Sequence, residues 1–400
     1  YYYRQNPQNI IKYLIFTFDT FVFVHYNVKI NKQKQEVAMA VKVTIQDIAD
    51  ALGVSRNTVS KAINNTGILA DSTRDRVLKK AAEMGYKQFS YISVSDSTKP
   101  ALSISSPKEK CEIALFTASF VGNSHFASPM LDKFQRELSQ LGYSLTMHRI
   151  MADETDSLSL PASFTAERTA GIVCVEMFDP QYSRMLCDLD IPTLFIDSAV
   201  TGLGEPLETD RLYMDNTSYM FPFVKEMASR GKKRIGFIGE YLHCQSFFER
   251  YMAYRDAMYL FGLECPDEYC ITGNREGVRS PSSTDYREYL TEKIQRLDKL
   301  PDVFVCANDF VALDALQVLK DLGYSVPEDI YLCGFDDSPE SRIITPTLTT
   351  VHIHSQIMGF AAVQMLVSRI DEPSLDYRIM HTETDLIYRE STGDQTKNRA

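Results

Sequence analysis

The chain has 400 residues, 44% of them hydrophobic, and carries 53 acidic against 42 basic side chains for a formal charge of -11. On a scale of roughly 100 to 200 residues per domain this length holds two or three globular domains. An acidic whole repels nucleic acid, so DNA binding requires a local cluster of positive charge. Eight cysteines without a C-x-x-C pair, most of them in apolar runs, argue against a disulfide framework and read as reduced core thiols of a cytoplasmic protein. The seven histidines lack ligand spacing, so no metal and no other cofactor is expected.

Residues 1–38 differ in character from the rest of the chain. The run "YLIFTFDTFVFVHY" (13–26) is aromatic and β-prone, but Asp19 interrupts it and it is too short to cross a bilayer. No small-residue cleavage site comes after it, so it is neither membrane anchor nor signal peptide. The segment is expected to be a non-native or disordered extension, with a β-hairpin as the alternative.

The stretch "VTIQDIADALGVSRNTVSKAIN" (43–64) predicts two short helices. Thr44 followed by Asp47 is a capping-box pair, and Ile45, Ile48, Ala49 and Leu52 recur at helical spacing until Gly53 ends the run. Ser55 is the N-cap candidate of the second helix, whose apolar stripe is Val54, Val59, Ala62 and Ile63. Arg56, Asn57, Ser60, Lys61 and Asn64 are left on the outer face. Two helices about a tight glycine turn make a helix-turn-helix. A third helix is expected after a Ser72–Asp75 capping pair, with Val77, Leu78, Ala81, Ala82 and Met84 inward and Gly85 closing it. Met39 to Ser95 holds eight basic and five acidic residues, so positive charge is concentrated locally. Arginine and lysine donate to guanine, asparagine pairs with adenine, and hydroxyls near helix starts hold phosphates. The DNA-binding set is therefore Thr44, Ser55, Arg56, Asn57, Thr58, Ser60, Lys61 and Asn64. Arg56, Asn57 and Lys61 are expected to read bases. The competing reading is a merely solvated polar face.

Beyond the headpiece, the apolar runs "CEIALFTA", "GIVCVE", "PTLFIDS", "KRIGFIG", "DVFVCAND" and "IYLCGFDD" alternate with helical patterns such as "SPMLDKFQRELSQLG". Alternation of this kind predicts an α/β fold of parallel sheets with helices on both faces. Open α/β sheets bind ligands beyond the carboxyl ends of their strands, which directs Asn308, Asp309 and Asp336 toward a cleft.

The headpiece resembles that of the LacI/GalR family of bacterial transcription regulators. Similar blocks recur in family order as "GKKRIGFIGE" (231–240), "FFERYMAYRDAM" (247–258), residues 306–359 and "LIYREST" (386–392). The resemblance implies a periplasmic-binding-protein-like core of two subdomains, about 111–200 and 201–332, to both of which the last segment returns. The expected organisation is a headpiece over 42–90, a linker over 91–110 and an effector-binding and dimerisation domain over 111–400. The family pattern also points to Arg250 and Asp336 as effector contacts, with Asn308 and Asp309 nearby; the alternative is that Arg250 and Asp309 only bridge helix and strand. Phe120, Phe126 and Phe178 could stack on a sugar ring or simply belong to the core.

Three departures limit the carry-over, one of them, Lys232 at the family's histidine position in "GKKRI", of little consequence on a surface turn. The family's Ala-Arg-x-Leu hinge segment is missing from "QFSYISVSDSTKPALSISSPKEK", where Ile92 and Leu102 are the apolar candidates for a wedge. The pocket positions between about 271 and 286 do not align. No G-x-S-x-G, P-loop, H-E-x-x-H or dinucleotide fingerprint supplies a catalytic constellation. The expectation is a cytoplasmic homodimeric repressor that binds double-stranded operator DNA, controlled by a small effector such as a carbohydrate, with no membrane partner. A solute-binding protein and an α/β enzyme with an appended helical domain are the alternatives.

Overall fold

The computed structural model describes residues 43–63, 69–84, 86, 111–118, 126–201, 206–273 and 284–393. The 1–38 extension, the linker with Ile92 and Leu102, Asn64, Gly85 and Phe120 lie outside the described residues.

The headpiece comprises α1 (Ile45–Leu52), α2 (Arg56–Ile63) and α3 (Asp71–Glu83). Thr44 caps α1 with the expected capping box, and Gly53 ends it at φ 64°, a left-handed conformation that glycine adopts without cost. Ile48, Ala49, Val59, Ala62, Ile63, Val77, Leu78 and Ala81 are buried together, as the helical spacing requires. The third helix begins one residue before Ser72. Asp71 is already helical, and the Ala70 carbonyl accepts from the Thr73 and Arg74 amides, so Ser72 lies in the first turn instead of capping it.

Two parallel sheets, a separate antiparallel strand pair and their helices make up the remainder. The chain runs β1 (Glu112–Thr117), α4 (Ala127–Gln140), β2 (Ser144–Arg149), α5 (Ala152–Ser157), β3 (Thr169–Val175), α6 (Pro180–Cys187), β4 (Thr193–Ile196) and β5 (Asp210–Met214). It continues through α7 (Met220–Ser229), β6 (Ile235–Ile238), α8 (Gln245–Leu260), β7 (Cys270–Ile271), α9 (Thr284–Gln295), β8 (Val303–Cys306), α10 (Asp309–Asp321) and β9 (Tyr331–Cys333). It ends with α11 (Pro339–Ile343), β10 (Thr350–Ile353), α12 (Ser355–Asp371), β11 (Ile379–Thr382) and β12 (Thr384–Ile387). The six-stranded sheet has the order β11-β5-β4-β3-β1-β2 and the four-stranded sheet β7-β6-β8-β9, with every neighbouring pair parallel. Strands β1, β3, β4, β6 and β8 are buried along their whole length, which is why they read as largely apolar runs without alternation; β5 is equally buried but opens on the charged Asp210 and Arg211.

The first sheet extends further than the 111–200 expectation. β5 pairs with β4, so the first subdomain runs to Met214, and β11 returns to pair with β5. Asp210 at the head of β5 anchors this return by accepting from Arg369 at 2.9 Å and Arg378 at 2.5 Å. β10 and β12 pair antiparallel in the crossover region between the sheets. Helix α12 lies against α4 at Gly359, where a Cβ would come within 2.5 Å of the Met130 carbonyl oxygen.

Candidate DNA-reading helix and effector cleft

Helix α2 begins under a side-chain cap: the Ser55 hydroxyl accepts from the Thr58 amide at 3.0 Å and lies 2.8 Å from the Thr58 hydroxyl. Arg56 and Asn57 are exposed in its first turn, while Thr58, Ser60 and Lys61 are half-buried. Thr44 is exposed one helix earlier, but its groups are engaged. Its Oγ1 lies 3.3 Å from the Asp47 amide, and its hydroxyl and its own amide both donate to the Asp47 carboxylate at 2.7 Å, the hydroxyl first and the amide second in holding that carboxyl below its usual range.

The cleft is built where the strands end. Glu176 directly follows β3, Asp197 directly follows β4 and Asp336 lies three residues beyond β9; all three have left-handed backbones, with φ of 54°, 58° and 116°. Such conformations cost an ordinary residue about 1 to 3 kcal/mol and cluster at ligand sites in folded proteins. Arg250, on the first half of α8, sits among these acids and is only 3% exposed. Its Nε donates to Asn216 Oδ1 at 2.9 Å, Nη1 donates to the Ala307 carbonyl at 2.6 Å, and the guanidinium lies 3.5 Å from the centre of the Phe335 ring.

The electrostatics stem from this crowding. Burial raises the Asp336 carboxyl well above its normal range; Arg250 opposes the rise, and the charges of Asp309, Glu176 and Asp197 reinforce it. Asp197 is raised by burial to about 6, against the hydrogen bonds its Oδ1 accepts from the Ser198 and Ser246 amides and against the charge of Arg250. Asn216 extends the network, donating to Ser246 at 3.2 Å and to Glu249 at 2.8 Å, and Glu249 lies 3.7 Å from His381. The neighbouring Glu249 carboxylate raises the His381 imidazole.

Asp309 is fully buried and both its oxygens are used internally. Oδ1 accepts from the Thr350 hydroxyl at 2.6 Å and Oδ2 from the Ser338 amide at 2.8 Å, tying α10 to the loop beyond β9 and to β10. Burial lifts its carboxyl to about 7. Asn308 caps α10, its Oδ1 accepting from the Val311 amide at 3.0 Å. Phe178 meets His243 edge-on at 5.0 Å between ring centres, and His243 in turn lies 5.3 Å from Phe247, whose ring is 5.6 Å from the Arg250 guanidinium. Phe126 packs at the start of α4 against the main core.

Several residues of this site are not evident from sequence: Glu176, Asp197, Asn216, His243, Phe247, Glu249, Phe335 and His381. For two of them a signal exists, a carboxylate standing directly after an apolar run in "GIVCVE" and "PTLFIDS". Among the described residues no cluster of three or more metal-binding side chains occurs, and no helix is long and apolar enough to cross a membrane.

A capped two-helix reader joined to two α/β sheets whose strand ends bring Glu176, Asp197, Asp336 and Arg250 together is the architecture of a DNA-binding regulator with a ligand-binding core. Comparisons with known proteins agree. Residues 44–88 match the model of the bacterial regulatory proteins, lacI family, and residues 224–392 match a periplasmic binding protein-like domain. The HTH-type transcriptional repressor PurR of Vibrio cholerae serotype O1 is 25% identical over 362 residues, 89% of this chain and 99% of its own. The HTH-type transcriptional regulator GalR of Lacticaseibacillus casei is 28% identical over 353 residues, 87% of this chain and 99% of its own. Among solved structures, the transcriptional regulator CelR–cellobiose complex superposes with TM-score 0.61 at 23% identity, covering 88% of this chain and all of that one. The lac repressor dimer bound to operator and the anti-inducer ONPF gives 0.58 at 20% identity, covering 88% and 99%. The chain thus carries a lacI-family DNA-binding headpiece ahead of a periplasmic binding protein-like domain, and it is a sequence-specific DNA-binding transcription regulator.

Proposed function

We propose that this regulator is a homodimeric repressor whose hold on its operator is set by a small polyhydroxylated effector bound in the cleft. The observation that carries the reading is the ring of left-handed carboxylates, Glu176, Asp197 and Asp336, around the buried Arg250. A guanidinium donates to and carboxyl oxygens accept from sugar hydroxyls, and the Phe178–His243–Phe247 group offers ring faces and edges for the apolar side of a pyranose. The cellobiose bound to CelR and the operator bound to the lac repressor dimer support both halves of the proposal. Arg250 and Asp336 contact the effector. Asp309, with both oxygens committed, and Asn308, committed as a cap, position the loop that carries Asp336.

On the DNA side, Arg56, Asn57 and Lys61 read base edges, and Thr44, Ser55, Thr58, Ser60 and Asn64 position phosphates. The proposed organisation is headpiece 42–90, linker 91–110 and effector domain 111–400. The chain acts by binding and release in the compartment that holds its DNA, without turnover of the effector.

A thermal-shift screen of sugars and nucleobases on the full chain tests the effector class. A ligand at one hundred times its dissociation constant stabilises by about 2.7 kcal/mol. A sugar hit that also changes operator affinity supports the proposal; a hit confined to nucleobases, or turnover of the ligand, overturns it. For the reading helix, Arg56→Ala and Asn57→Ala are measured against a panel of operator variants. A lost bidentate contact costs roughly 1 to 3 kcal/mol at one base position. Uniform weakening across the panel would move these residues to the phosphate-binding class.

A further inference from the structure

Cys265 and Cys270 flank a short 3-10 turn (Asp267–Tyr269) that leads from the end of α8 into β7. Their C-x4-C spacing is wider than a C-x-x-C pair, yet the fold brings both sulphurs onto one oxygen. Cys265 Sγ lies 3.2 Å and Cys270 Sγ 3.8 Å from the Tyr254 hydroxyl, and the two sulphurs lie within hydrogen-bonding reach of each other. Both are half-buried, whereas Cys174, Cys244, Cys306 and Cys333 are buried.

The surroundings favour a thiolate on one of the pair. With both protonated, each thiol donates to the Tyr254 hydroxyl; once Cys265 gives up its proton, the Cys270 thiol donates to it instead. The Tyr254 hydroxyl, which in the reduced state donates to the Ile235 carbonyl at 2.8 Å, can turn its proton to the same sulphur. Arg255, held 3.1 Å from Asp267, adds positive charge. The Cys270 hydrogen bond, working against burial and helped by Tyr254 and Arg255, lowers the Cys265 thiol to about 6; the same hydrogen bond and burial push Cys270 up. A thiolate that is accessible and next to a resolving thiol is the arrangement peroxide-sensing cysteines use.

We propose that Cys265 and Cys270 form an oxidation site that hydrogen peroxide converts to an intrachain disulfide. The Cys265 thiolate attacks one peroxide oxygen, the O–O bond breaks, and the leaving hydroxide takes up the thiol's proton as water, giving a sulfenic acid at Cys265. The Cys270 sulphur then displaces the sulfenic hydroxyl, which leaves with the Cys270 proton as a second water, and the S–S bond forms. One peroxide is reduced by two electrons, and the two thiols are oxidised by two. The oxidised turn adjoins α8, which carries Arg250 one helical turn before Tyr254.

The test treats reduced full-length protein with hydrogen peroxide near neutral pH, blocks remaining thiols and maps the tryptic peptide 256–275, which contains both cysteines. The expected product is that peptide two hydrogens lighter and unblocked, appearing before the exposed Cys111 is oxidised. In C270S, dimedone should label Cys265 as a persistent sulfenic acid. In C265S, Cys270 should remain reduced over the same exposure. Oxidation of Cys111 ahead of the pair, or sulfinic acid at Cys265 of the unmodified chain without any disulfide, overturns the proposal.

Discussion

Replacing Arg250 by alanine is expected to cost stability in a way that depends on pH. The side chain is 3% exposed, and its loss strands two acceptors, Asn216 Oδ1 and the Ala307 carbonyl. Each buried orphan costs about 1 to 3 kcal/mol, and removing one member of a buried charged network typically costs about 3 to 5 kcal/mol in all. Part of that total is electrostatic. Arg250 opposes the burial that lifts Asp197 to about 6 and Asp336 well above its usual range. Without the guanidinium both carboxyls rise further. A carboxyl whose folded value exceeds its unfolded value of about 3.9 costs stability as pH rises, until the pH passes the folded value and the cost levels off. Raising the folded value extends that window upward, so the extra loss in Arg250→Ala is nearly absent at about pH 5 and grows toward about pH 8, by about 1.4 kcal/mol for each tenfold gain in proton affinity. Urea unfolding of both proteins at the two pH values measures the difference, and operator binding confirms that the headpiece is intact. An equal loss at both pH values would show that Arg250 is only a packing and bridging residue and would remove the electrostatic basis for the cleft.

Gly334→Ala places a Cβ onto Asp309 Oδ1 and within 2.9 Å of Leu348 Cδ2, so the loop carrying Asp336 must shift. The expected cost is about 1 to 3 kcal/mol of overpacking, with weakened effector binding and unchanged operator affinity in its absence, read by calorimetric titration and gel shift. Thr44→Ala removes the cap of α1 and should destabilise the headpiece by about 0.5 to 2 kcal/mol, seen as faster amide exchange over Ile45–Leu52 and weaker DNA binding. Asp337 behaves opposite to the cleft acids. Against the cost of burial, hydrogen bonds from His352 and Arg342 and the charge of Arg389 hold its carboxyl at about 2, so it contributes stability above about pH 4 that is lost as pH falls toward 2. Asp337→Asn should therefore flatten the acid limb of the stability curve between those values; an unchanged limb would remove the assignment.

The headpiece was legible from sequence because its determinants are local. Thr44 meets Asp47 three residues away and Ser55 meets Thr58 at the same spacing, so pattern and contact coincide. The sheets were legible because strands covered on both faces must be apolar throughout, and "EIALFT" or "VFVC" cannot be mistaken for half-exposed strands. The start of α3 was not: Asp71 and Ser72 both suit a helix start, and the structure begins the helix at Asp71.

Distance along the chain marks where that legibility stops. Residue type proposed Asp309 as a cleft group, but its oxygens meet Ser338 and Thr350, 29 and 41 residues away, and only the folded crossover brings them there. Arg250 was named, yet its partners Asn216 and Ala307 come from other elements, 34 and 57 residues off. The carboxyls of Glu176, Asp197 and Asp336 lie just past the carboxyl ends of strands in two sheets, and the fold brings those ends together into one electrostatic site. The sequence determined which residues cap helices, which runs are buried and where positive charge collects, since these depend on neighbours within a turn or a strand. Tertiary structure alone decided which charges share a low-dielectric space and which thiols touch, because both depend on distances that no local pattern encodes.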